Sequence, residues 1–162
     1  MTWIFEKMTF LKYLSFGTLS CLFALIFFGG YVSASGVGLS CPDWPLCPAG
    51  LVPMDEFLIE YIHRTLAATT GLLVILTMLV TLKSKSSRRG MKLAAIIASG
   101  LVLGQIALGG AVIVERLHAL LVTIHFAIGM TLFSMLILVT VYAFQLSPSA
   151  TRKEISGTLR KT

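Results

Sequence analysis

Four stretches long and apolar enough to cross a bilayer fill most of this chain, at residues 13–33, 57–82, 93–114 and 117–144. A helix needs about 20 mostly apolar residues to span the hydrocarbon layer. The composition agrees, with 56% hydrophobic residues, 12% charged and a mean hydropathy of +0.90. A soluble domain sits nearer half apolar and a quarter charged, so the excess must face lipid. The sequence therefore predicts an all-α, integral membrane four-helix bundle, antiparallel and up-down, forming one domain over residues 1–146.

The connections set the topology. Residues 34–56 form a loop rich in Gly, Pro and Ser, residues 83–92 a short polar run, and Glu115-Arg116 barely a turn. That tight third connection makes helices 3 and 4 a hairpin. Of the 13 Lys and Arg, two precede helix 1, five lie between helices 2 and 3, and four follow helix 4. By the positive-inside rule both termini and the basic loop are cytoplasmic, which puts the 34–56 loop outside a multi-pass protein of the cell membrane. The net charge of +6 thus serves topology, and nucleic-acid binding falls away. No small-residue cleavage site follows the first apolar run, so it is expected to remain as a helix. Residues 147–162 read as a basic cytoplasmic tail beside anionic headgroups.

An internal echo is visible. Helix 1 ends in Phe28-Gly29-Gly30-Tyr31-Val32 and helix 3 in Leu108-Gly109-Gly110-Ala111-Val112. Each precedes a helix carrying a histidine, as two hairpins related by a pseudo-twofold axis would. Glycine is also common at helix interfaces in membranes, and the pattern alone does not separate these readings.

Ionisable groups inside a bilayer are costly and therefore informative. Helix 2 opens Glu60-Tyr61-Ile62-His63-Arg64, with Glu60, His63 and Arg64 projecting from one neighbourhood of the helix. Helix 4 carries His125, and His118 stands seven residues earlier. His63 and His125 lie six and eight residues inside the outer ends of their helices, so their depths agree within about 3 Å. Two opposed imidazoles suit a six-coordinate haem iron, whose in-plane positions the porphyrin fills. Small residues nearby (Ala67, Ala68, Gly71, Gly129) would let a flat macrocycle approach. An intramembrane histidine can instead be an interhelical hydrogen-bonding group. Arg64 would either pair with a propionate or snorkel to the interface. His118, at the interface, reads first as a surface histidine and only second as an accessory ligand.

The outer loop holds Cys41 and Cys47, six residues apart among Pro42, Pro45 and Pro48, on the side where disulfides survive. A Cys41–Cys47 bond is expected there, as a structural staple or as an exchangeable redox pair. The spacing is not the C-x-x-C of thiol oxidoreductases, and two Cys with one buried His make a poor zinc site. Cys21, inside helix 1, reads as a packed thiol.

Gly36-x-Gly-Leu-Ser-Cys-Pro-Asp-Trp-Pro-Leu-Cys47, followed by Glu60-Tyr-x-His-Arg64, resembles the haem A synthase family, as do Leu108-Gly-Gly and the Thr-x-His125 of helix 4. The resemblance covers residues 29 to about 133. It implies an oxidoreductase that converts a methyl group of haem o to the formyl group of haem a, with water as oxygen source, for terminal oxidase assembly. It further implies haem binding (haem b or the haem o substrate) at His63 and His125, a catalytic role for Glu60 and an outer-face Cys41–Cys47 disulfide. Haem o synthase and terminal oxidase subunits would be its partners in the membrane.

Two departures stand out. Members of that family usually have eight helices in two similar halves, each with a histidine pair, whereas this sequence offers one half. A homo-oligomer, a dimer or higher, is therefore expected. The family's Gly-Gly-x-Val-Arg pattern also has Ser33 in place of its Arg. The rival readings are a membrane b-type cytochrome using the same histidines without need of Glu60, a haem-handling assembly protein, and a membrane thiol oxidoreductase.

Overall fold

A computed structural model describes residues 2–41 and 57–146. The described chain is four helices: α1 (Thr2–Ser35), α2 (Leu58–Lys83), α3 (Arg89–Val114) and α4 (Ala119–Gln145). All four are long and apolar enough to cross a membrane. At 26 residues, α2 and α3 are about 39 Å long, enough to span the hydrocarbon layer with some tilt. Each helix packs against its neighbours in a closed ring, α1 on α2 and α4, and α3 on α2 and α4. The helices carrying His63 and His125 are thus diagonal partners across the bundle.

The core is unevenly filled. Toward the basic loop, Met8, Leu11, Met91, Ala94, Ala95, Val139 and Ala143 form one buried cluster. A second, at mid-height, joins Leu22, Val74, Ala98, Val102, Leu132 and Leu136. Buried hydroxyls knit the helices at these levels, where an unpaired polar group in lipid would be costly. Thr18 and Thr77 share a 2.9 Å hydrogen bond, and Thr140 donates to the carbonyl of Ser15 at 3.3 Å. The thiol of Cys21 lies 3.2 Å from the Thr70 hydroxyl, as a packed thiol should. Large apolar side chains such as Phe16, Phe23, Leu72 and Leu103 point outward, to lipid.

Above the second cluster the packing thins to half-buried side chains, with Leu25 and Ile26 resting on that cluster. Residues 23–31 of α1, 61–69 of α2, 103–109 of α3 and 119–131 of α4 include no buried side chain. Burial resumes at the outer end, where Val32, Gly38, Cys41, Glu60 and Gly110 are enclosed. The bundle therefore has a packed floor, an uncored layer and a roof.

The roof depends on a strained turn. Arg116 and Leu117 both adopt left-handed backbone, with φ of 48° and 62°. The Arg116 and Leu117 amides donate to the carbonyls of Ile113 and Val112 at 3.0 and 2.8 Å, closing α3 as a Schellman motif without the usual glycine. The conformation turns Leu117 onto Gly38 of the outer loop. A Cβ at Gly38 would stand 3.2 Å from Leu117 Cδ1 and 3.4 Å from Val32 Cγ1. The turn of one hairpin thus rests on the loop of the other.

Candidate functional site

The first turns of α2 hold the outer loop by its backbone. Glu60, 2% exposed, accepts through Oε2 from the Cys41 amide at 2.9 Å and the Ser40 hydroxyl at 3.0 Å. Its Oε1 accepts from Arg64 Nη2 at 2.5 Å, one turn further on. The same Arg64 nitrogen donates to the Cys41 carbonyl at 2.8 Å. Glu60 and Arg64 therefore hold both backbone polar groups of one loop residue, and each compensates the other's buried charge. With 16% of its side chain exposed, Arg64 is turned into this network and does not snorkel outward. Cys41 is fully buried, while Cys47 lies outside the described residues.

His63, one turn from Glu60, and His125 enter the uncored layer from the diagonal helices. Among the described residues, Nδ1 of each imidazole is buried without a hydrogen-bond partner. Each ring lies against the first glycine of a Gly-Gly pair on the preceding helix. A Cβ at Gly29 would stand 3.0 Å from His63 Cε1, and one at Gly109 would stand 3.6 Å from His125 Cε1. The echo seen in the sequence is thus a repeated contact, one per hairpin.

Among the described residues no group of three or more His, Cys, Asp or Glu could hold a bare metal ion. Two imidazoles suffice for a metal that brings its own in-plane ligands, as haem iron does. The uncored layer and the unpartnered rings fit such a group. His118 is not with them: it is exposed at the N-cap of α4. Of the small residues expected to line the site, Gly71 packs on Ile106 and Val102 of α3, Gly129 faces the Gln105 amide, and Ala68 is exposed. Ser33 is exposed near the end of α1.

Two participants escaped the sequence reading. Gln105 Nε2 donates to the His125 backbone carbonyl at 2.7 Å, tying α3 to the helix turn that carries the imidazole. A lone amide within an apolar span was the available signal. Ser40 was quoted only as part of a motif, and its bond to Glu60 joins residues 20 apart in sequence.

A family model described as COX15-CtaA, cytochrome oxidase assembly protein, matches residues 12–162. The chain belongs to this family. Among curated relatives, it is 32% identical to the Heme A synthase of Exiguobacterium sibiricum over 151 residues, covering 91% of this chain and 50% of that protein. It is 33% identical to the Heme A synthase of Bacillus licheniformis, covering 79% of this chain and 43% of the relative. A third, from Exiguobacterium sp., is 34% identical, with 86% and 47% covered. This COX15-CtaA chain spans about half the length of the curated relatives it matches. That proportion accords with its single histidine pair and single pair of hairpins.

Proposed function

We propose that this chain acts as a haem A synthase, oxidising a methyl group of haem o to a formyl group within the uncored outer layer of the bundle. One observation carries the reading: two imidazoles with buried, unpartnered Nδ1 atoms enter from diagonal helices a layer of the bundle in which no side chain is fully buried. Curated relatives named Heme A synthase support the choice of substrate. His63 and His125 would hold the iron of a haem, either haem b or the haem o substrate, and a bound haem b would supply one-electron redox chemistry.

The protein's own groups have separable roles in this reading. Gln105 and the glycine contacts place the imidazoles. Both oxygens of Glu60 are engaged by Arg64, Ser40 and Cys41. The role that suits it is therefore a fixed negative charge, favouring positive charge that develops at the oxidised carbon. Arg64 holds that charge in place, and any contact with a propionate would be made from the same position. Water supplies the oxygen, and the electrons leave to an external acceptor. The basic residues place the termini in the cytoplasm and the loop outside, where a Cys41–Cys47 disulfide would close the roof. With one histidine pair per chain, the working unit would be a homo-oligomer, drawing haem o from its synthase and delivering to a terminal oxidase.

The test is co-expression with a haem o synthase in a host lacking haem A, followed by extraction of the haems. Haem A or its hydroxylated precursor is expected, and both should vanish in His63→Ala and Glu60→Ala. Haem b alone, unaffected by Glu60→Ala, would replace the enzyme with a membrane cytochrome.

A further inference from the structure

A histidine that ligates a metal usually donates its second ring nitrogen to a carbonyl or carboxylate, which fixes the ring's rotation. His63 and His125 lack that support, since both Nδ1 atoms are buried without a partner. In each case a glycine lies against the ring. At Gly29 an added Cβ would meet three ring atoms of His63, Cε1 at 3.0 Å, Nδ1 at 3.6 Å and Nε2 at 3.9 Å. At Gly109 it would meet one ring atom of His125, Cε1 at 3.6 Å. The neighbouring Gly30 has nothing within 4 Å and is exposed, so glycine is required there by no side-chain contact.

We infer that Gly29 is a positioning residue which seats the His63 imidazole by shape instead of by hydrogen bond, and that Gly109 seats His125 more loosely. The inference rests on the reading of these histidines as haem ligands. A contact of 3.0 Å is tighter than most methyl contacts and requires the neighbour to give by a few tenths of an ångström, and the opposing atoms belong to a ring lying between helices. The ring must therefore turn or withdraw when Gly29 gains a side chain. A contact of 3.6 Å is ordinary van der Waals distance, so Gly109 accepts a methyl group without moving His125. The two ligands are thus unequal, one pressed into a close notch and one resting in a slack one.

The test uses the full chain purified in detergent and loaded with ferric haem b, read by visible absorption and low-temperature electron paramagnetic resonance. The wild type and Gly30→Ala should show a six-coordinate low-spin haem. Gly29→Ala should lose the low-spin signal at unchanged haem content and regain it on addition of free imidazole. Gly109→Ala should keep it. A Gly29→Ala protein with the wild-type spectrum would overturn the inference while leaving the ligand reading intact. A wild type without low-spin haem would overturn both, at the ligand reading. If Gly29→Ala does not accumulate, Gly109→Val makes an equivalent clash on the slack side. Its loss of the low-spin signal beside a normal Gly109→Ala would support seating by shape, and its retention would refute it.

Discussion

Replacing Glu60 by Ala should free the outer loop before it affects anything else. The carboxylate accepts from the Cys41 amide at 2.9 Å and the Ser40 hydroxyl at 3.0 Å, and both bonds join the loop to α2. Hydrogen bonds to a charged group contribute about 1.5–3 kcal/mol each, and at the lower figure the pair holds the loop closed by about 3 kcal/mol. Arg64 keeps its bond to the Cys41 carbonyl, so the loop is loosened without being released. A fall of about 3 kcal/mol in opening free energy corresponds to roughly 150-fold faster amide exchange. Hydrogen–deuterium exchange of the segment containing Ser40 and Cys41, in detergent or nanodiscs, reads this directly. Glu60→Gln keeps an acceptor but loses the charge, and about 1 kcal/mol, near fivefold, is expected from it. Unchanged exchange at Cys41 in Glu60→Ala would refute the argument that this carboxylate holds the loop. The experiment also guards against misreading an activity loss, because a variant that opens the roof would inactivate the site with or without chemistry at Glu60.

Further predictions concern stability. Arg116→Gly should raise the thermal midpoint, since left-handed backbone costs a non-glycine residue about 1–2 kcal/mol, and an unchanged or lower midpoint would argue against strain at this turn. Leu136→Ala, at a position 1% exposed in the mid-height cluster, should cost about 2–5 kcal/mol in denaturation from mixed micelles, toward the lower end because lipid is itself apolar. Leu72→Ala, at a position 74% exposed to lipid, should be nearly neutral by comparison.

The helices were legible because their signal is local: an apolar run of sufficient length in lipid has little choice but to be helical. The placement of His63 and His125 on diagonal helices was also legible in part, since each lies within a span that the sequence marks as a helix. The Gly-Gly echo could be seen but not interpreted, because only packing shows that Gly29 and Gly109 touch the imidazoles. The engagement of Glu60 with the loop was hidden for a related reason. Its partners are a backbone amide and a serine 19 and 20 residues away, across a loop whose path no periodicity encodes. Gln105 announced its presence by polarity but not its bond to the His125 carbonyl.

The uneven filling of the bundle separates two demands that usually compete. On the proposed reading, the layer that receives a flat guest cannot also be the one that holds the protein together. Here the inner and middle clusters, with their buried threonines, tie the four helices together below the histidines. At the tips, one hairpin meets the other through a leucine resting on a glycine, a contact with no hydrogen bond to break. The tightest packing lies at one end of the bundle and the histidine pair toward the other.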